Sequence, residues 1–127
     1  MKILIIEEEA TVGTAIKALL EREGHTVSFE QNGKDGVERF TSDLFDTVIT
    51  DFVMQGDMNG LDVARCIRAI DPKVRIILMS GGFLGGGNTE LEYQAIKAGV
   101  DACLAKPFGL ENLLKLLPTP PPPAQSV

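Results

Sequence analysis

Glu7, Glu8 and Glu9, Asp51, Ser80 and Lys106 are the residues of this 127-residue chain whose types combine into one chemistry. Each follows a short, largely apolar run: Ile3 to Ile6 precede the glutamates, Thr47 to Thr50 precede Asp51, Val74 to Met79 precede Ser80, and Ala102 to Ala105 precede Lys106. Carboxylates, a hydroxyl and an ammonium gathered around one point can hold a hard cation and a phosphoryl group. Their gathering depends on the elements between them. Apolar runs of this length, separated by segments of helical period, read as buried parallel strands. In an open α/β sheet the ligand site lies beyond the carboxyl ends of the strands, so the four groups are expected to converge there.

The intervening segments carry the helical period. Val12, Ala15, Ile16, Leu19 and Leu20 fall on one stripe, and Gly24 is placed to end that helix. A second strand is expected at Thr26 to Glu30, followed through Asn32 and Gly33 by a helix near Lys34 to Thr41. Asn59 can cap a helix to about Ile70, which Asp71-Pro72 stops. After Ser80 comes a glycine-rich loop, Gly81 to Gly87, and then Thr89-x-x-Glu92, a capping box for the fourth helix. Gly99 closes that helix; Leu110, Leu113, Leu114 and Leu117 form the face of a short last one, stopped by Pro118. Five βα units without an internal repeat predict a doubly wound, three-layer α/β sandwich, because right-handed crossovers cover both faces of a parallel sheet. The remainder, from Pro118 to Val127, is proline-rich and reads as an extended tail or linker.

Composition narrows the function. With 44% hydrophobic residues and a mean hydropathy of +0.10 over its 127 residues, the chain suits one domain with its own core, placed at residues 1 to 117. No apolar stretch approaches the roughly 18 to 20 residues that cross a membrane, and the acidic triplet comes too soon for a secretory signal, so a cytoplasmic protein is expected. A net charge of −6 argues against direct binding to nucleic acid, whose phosphates recruit basic surfaces. Cys66 and Cys103 lack metal-like spacing and read as two buried, reduced thiols. His25, the only histidine, reads as a helix-end or surface residue.

Taken in order and at their intervals, several motifs resemble the receiver domains of two-component response regulators. They are Ile3-Leu4-Ile5-Ile6-Glu7-Glu8-Glu9, Asp51-Phe52-Val53-Met54 with Met58-Asn59-Gly60, Ser80-Gly81, Ala98-Gly99 and Lys106-Pro107-Phe108. The resemblance runs from Lys2 to about Leu117 and implies a flavodoxin-like fold with a five-stranded parallel sheet of order 2-1-3-4-5. It implies that Asp51 accepts a phosphoryl group from a phosphohistidine on a histidine kinase or histidine phosphotransferase, forming an aspartyl phosphate. Mg²⁺, or Mn²⁺, would then be held by Glu7, Glu8, Asp51 and the backbone carbonyl of Val53, while Lys106 and Ser80 contact phosphoryl oxygens. It further implies a cis peptide before Pro107 and a homodimer through the fourth and fifth helices. The product of interest is a switch state, so the chain is expected to be a signalling phosphoacceptor and no free-standing enzyme.

Three features depart from the family pattern. Glu8 stands where the acidic pair normally has an aspartate, and its added methylene shifts a carboxylate, which implies weaker or rearranged Mg²⁺ binding. Gln55-Gly56-Asp57 replaces the usual proline after Met54 and lengthens the loop, with Asp57 expected to face solvent. Cys103 occupies the place of the aromatic residue that normally follows the strand-four hydroxyl in switching. Ser80 can still move towards a phosphoryl group, so output is expected to run through residues 81 to 87 and the helix after them. These departures support an alternative, a degenerate receiver that acts as a non-phosphorylated interaction module. A metal-dependent phosphohydrolase would need a second acidic residue two positions beyond the nucleophile, where Val53 stands. Flavin binding fits poorly, because glutamates stand where a flavin phosphate needs hydroxyls and amides.

Overall fold

Alternation within the apolar runs decides which helix covers which face of the sheet. In the computed structural model, which describes residues 1–81 and 89–118 apart from the Thr89 side chain, Ile3, Ile5, Ile49, Ile77, Met79 and Leu104 point to one side. Leu4, Ile6, Val48, Ile76 and Leu78 point to the other. Both sets are apolar, so both faces must be covered, and the strands between them run parallel.

The elements alternate without exception: β1 (Lys2–Ile6), α1 (Ala10–Arg22), β2 (Thr26–Glu30), α2 (Gly33–Ser42), β3 (Thr47–Asp51), α3 (Gly60–Ile70), β4 (Arg75–Ser80), α4 (Thr89–Ala98), β5 (Ala102–Ala105) and α5 (Leu110–Leu116). The sheet order is β2-β1-β3-β4-β5, as the resemblance implied. Ile16 and Leu20 of α1 and Leu113 of α5 close the first face. Phe40 of α2, Val63, Ala64 and Ile67 of α3, and Leu91 and Ala95 of α4 close the second. Each fully buried Ile or Leu contributes roughly 1.5–3 kcal/mol relative to exposure.

Helix ends follow local chemistry. The Asn59 side chain accepts from the Asp62 amide at 2.9 Å while Asp62 accepts from the Asn59 amide at 3.0 Å, a reciprocal cap that adds Asp62 to the expected Asn59. Gly24 and Gly99 follow α1 and α4 with φ of 92° and 93°, a conformation that other residues adopt only at a cost. The capping box expected of Thr89 and Glu92, the loop at residues 82–88 and the tail beyond residue 118 lie outside the described residues.

The thiols correct the sequence reading. Cys66 is exposed, because the inner stripe of α3 is Gly60, Leu61, Val63, Ala64 and Ile67, and Cys66 falls between its rows on the outer face. Cys103 is only half-buried, because β5 is an edge strand paired with β4 alone. Burial first, and then the Glu92 carboxylate, push its thiol pKa up. His25 follows the end of α1 as a half-buried residue, as expected.

Candidate functional site

Ladder hydrogen bonds carry the strand geometry one residue past the strands themselves and fix the backbone of each chemical group. The Glu7 amide donates to the Glu30 carbonyl at 3.0 Å, the Phe52 amide to the Met79 carbonyl at 2.9 Å, and the Lys106 amide to the Ser80 carbonyl at 3.1 Å. Asp51 is the last residue of β3 and Ser80 the last of β4. The start of α3 presses on this edge: the Gly60 amide donates to the Phe52 carbonyl at 2.8 Å. A Cβ at Gly60 would stand 2.4 Å from the Asp51 carbonyl oxygen and 2.8 Å from the Phe52 Cα, so only glycine permits this approach.

Three side chains meet at the point so defined. The Lys106 ammonium lies 2.9 Å from Glu7 Oε1 and 3.2 Å from Asp51 Oδ2. Glu7 is fully buried, and Asp51 and Ser80 are nearly so, at 8% and 5% exposure. Burial first, then its hydrogen bond to Asp51, raise the Glu7 pKa to about 7, and the Lys106 ammonium offsets only part of that rise. For Lys106 burial works against the charge, but the Glu7 and Asp51 carboxylates outweigh it and hold the pKa above its ordinary value. One ammonium therefore faces two carboxylates. With both ionised the cluster is net negative and lined by hard oxygen donors, the donor type that divalent Mg²⁺ and Mn²⁺ take.

The other expected residues are placed differently. Glu8 is half-buried; its amide donates to Glu7 Oε2 at 3.0 Å, and its carbonyl accepts from Gln31 Nε2 at 3.2 Å. Among the described residues no three His, Cys, Asp or Glu side chains form a group that could hold a metal ion. Glu9 is exposed at the N-cap of α1. Val53, expected to act through its carbonyl, has an exposed side chain. Asp57 is exposed beside Gly56, whose φ of 99° turns the loop. Cys103 pairs in register with Leu78 and packs against the α2–α4 face. The peptide bond between Lys106 and Pro107 is cis, as the resemblance implied.

Beside Lys106 runs a groove of about 600 Å³ that the sequence did not foretell. Val12, Ala15, Ile16 and Leu19 of α1 form one wall, and Lys106, Pro107 and Phe108 form the other. The outer part of the α1 stripe was the available signal, because Ala15 and Leu19 are apolar and exposed and Val12 is half-buried, while Ile16 and Leu20 of the same stripe are buried.

A family model described as "Response regulator receiver domain" matches residues 3–118. The chain belongs to that family. The receiver is 33% identical over 113 residues to the response regulator ArlR of Staphylococcus saprophyticus, covering 89% of this chain and 49% of that protein. It therefore spans about half the length of such curated relatives. The chemotaxis protein CheY of Thermotoga maritima is 31% identical over 117 residues, covering 91% of the receiver and 93% of CheY. Among solved structures, a response regulator receiver domain protein from Clostridium thermocellum superposes with a TM-score of 0.80 at 32% identity, covering 91% and 89% of the two chains. The Vibrio cholerae chemotaxis protein CheY4 gives 0.82 at 22% identity, covering 90% and 92%, and supports the fold alone.

Proposed function

We propose that this receiver accepts a phosphoryl group on Asp51 from a phosphohistidine and signals by the change of conformation that follows. The observation that carries the reading is the Lys106 ammonium held at 3.2 Å from Asp51 Oδ2 and 2.9 Å from Glu7 Oε1, at the carboxyl edge of the sheet. In the transfer, an Asp51 oxygen attacks phosphorus in line as the imidazole N–P bond breaks. A P–O bond forms, and the imidazole leaves as the neutral base after taking up a proton. Lys106 moves its charge from the carboxylates to a phosphoryl oxygen, and Ser80, at the end of β4, donates to another. A divalent cation held by the Glu7, Glu8 and Asp51 side chains with the Val53 carbonyl would neutralise the charge between carboxylate and phosphoryl oxygens. Self-catalysed phosphorylation and dephosphorylation are the only chemistry assigned.

The donor is a histidine kinase or histidine phosphotransferase. The groove beside Lys106 supports this, because an apolar helix seated against Leu19 and Phe108 would stand next to the reacting carboxylate. Tyr93 and Ile96 of α4 are exposed, which supports a homodimer through α4 and α5. No described helix is long and apolar enough to cross a membrane, which supports the cytoplasmic placement, and the acidic charge supports a protein target in preference to nucleic acid.

Intact mass after incubation with acetyl phosphate, with and without Mg²⁺, tests the reading. One phosphoryl group added in the presence of metal and absent from Asp51→Asn is the expected result. No addition with either Mg²⁺ or Mn²⁺ overturns it in favour of the non-phosphorylated interaction module, a reading favoured by the missing three-carboxylate group among the described residues.

A further inference from the structure

The peptide between Asp51 and Phe52 is held at both ends. Its N–H points to β4 and donates to the Met79 carbonyl at 2.9 Å. Its C=O points the other way, towards β1, whose pairing with β3 ends at Ile6 opposite Thr50. One residue beyond that last pair, the Thr50 hydroxyl donates to the Asp51 carbonyl oxygen at 3.1 Å. Thr50 is fully buried, on the face of β3 that it shares with Val48. Leu4, Ile6, Ile76 and Leu78 on that face are all apolar. Valine has the outline of threonine and no hydroxyl to satisfy, so packing alone does not call for a polar group here. Thr47, at the other end of the strand, is equally buried, and its hydroxyl has no hydrogen-bond partner among the described residues. What distinguishes Thr50 is the atom it holds. Rotation about the Asp51 Cα–C bond would carry the carbonyl oxygen away from the hydroxyl. With that rotation fixed, so is the direction in which the Asp51 side chain leaves the strand, and with it the approach of Oδ2 to the Lys106 ammonium at 3.2 Å.

We propose that Thr50 is a positioning residue for the Asp51 carboxylate, its buried hydroxyl fixing the backbone from which the nucleophile attacks phosphorus. The proposal rests on the reading of Asp51 as the phosphoacceptor. Thr50 touches no reacting atom and acts only through the Asp51 carbonyl. In-line attack tolerates little misalignment: a displacement of about 1 Å costs on the order of 10²-fold in rate, so partial release of this backbone is expected to cost about tenfold.

Initial rates of labelling by acetyl phosphate with Mg²⁺, read by intact mass, test this in two pairs that differ at the hydroxyl. The pairs are the wild type against Thr50→Val, and Thr50→Ser against Thr50→Ala, each protein checked for a cooperative thermal transition. In this reaction an Asp51 oxygen bonds to phosphorus as the bond from phosphorus to acetate breaks. Thr50→Val and Thr50→Ala are each expected to be labelled about tenfold more slowly than their partners. Thr50→Ser lacks the methyl group, as Thr50→Ala does, so its advantage over Thr50→Ala comes from the hydroxyl and not from packing; this pair stands even if Thr50→Val does not fold. Thr47→Val, at the far end of the same strand, is expected to keep the wild-type rate. A merely structural hydrogen bond would lower melting temperatures and leave the rates of the folded variants alone. Rates within about twofold of each other in both pairs therefore overturn the proposal and leave the phosphoacceptor reading intact. Equal slowing of Thr50→Ser and Thr50→Ala overturns it as well, because packing would then set the rate. A wild type that takes up no phosphoryl group overturns the phosphoacceptor reading and this proposal together.

Discussion

Lys106 at the carboxyl edge of the sheet and Arg68 at the opposite edge are both partly buried cations, with side-chain exposures of 28% and 22%, yet their surroundings differ in kind. Arg68 is surrounded by acceptors. It donates to the Gly99 carbonyl from Nε at 3.1 Å and Nη2 at 2.7 Å, to the Pro72 and Val74 carbonyls from Nη1 at 2.9 and 2.7 Å, and to Asp101 Oδ2 at 2.8 Å. Asp101 in turn accepts from the Ile76 amide at 2.8 Å, so the guanidinium binds the α3–β4 and α4–β5 connections into one network. At Lys106 one charge serves two carboxylates, and one of these, Glu7, has its pKa raised to about 7. A polar network with its donors satisfied holds a fold together, whereas one left out of charge balance is ready for a ligand.

The contrast can be broken in several ways. The largest effect is expected from Lys106→Met: labelling by acetyl phosphate should slow by about 10²-fold or more, since an aimed charge is lost where charge develops, while thermal melting still shows a folded protein. Arg68→Met should do the reverse. It strands the Gly99, Pro72 and Val74 carbonyls, so urea unfolding should show a loss of about 3 kcal/mol, with labelling by acetyl phosphate unchanged. If Arg68→Met abolishes labelling while melting is unaltered, the division between the two edges is wrong.

Gly60→Ala probes where the edges meet the helices. Its new methyl group would press on the backbone of Asp51 and Phe52, and a loss of about 1–3 kcal/mol should accompany slower labelling. The pH dependence isolates Glu7. Its folded pKa, about 7, lies above the unfolded 4.5, so the folded state binds more protons between those values. The stability it contributes is complete below pH 4.5 and is lost as pH rises through about 7. Melting temperatures in chelator should therefore fall over that window, and Glu7→Gln should flatten the fall. The smallest effect belongs to Cys66→Ser, expected to stay within about 0.5 kcal/mol because the thiol is exposed.

Much of this was written in the chain. The apolar runs placed the strands because a strand covered on both faces admits little polar alternation, and the groups following them were fixed as neighbours once the strands were parallel. That logic brought Glu7, Asp51 and Lys106 together correctly. It named Glu8 for the same site but could not give the direction of its side chain, which depends on a rotamer and not on strand order. It misjudged Cys66, where one helical position separates core from solvent. Arg68 was invisible because its partners lie up to 33 positions away, in connections whose approach no local pattern encodes. The groove beside Lys106 was missed for the same reason, since its second wall comes from the far end of the chain.

The hydrogen bond between Lys106 and Glu7 joins residues 99 positions apart, and this has a consequence for synthesis. A nascent chain emerging from the ribosome can pair β1, β2, β3 and β4 while the ammonium is still unmade. Until β5 docks against β4, the buried Glu7 has no lysine to offset its burial. Completion of the cluster therefore waits until β5 has been made and docked, and a product terminated before β5 keeps Asp51 without the Lys106 ammonium beside it.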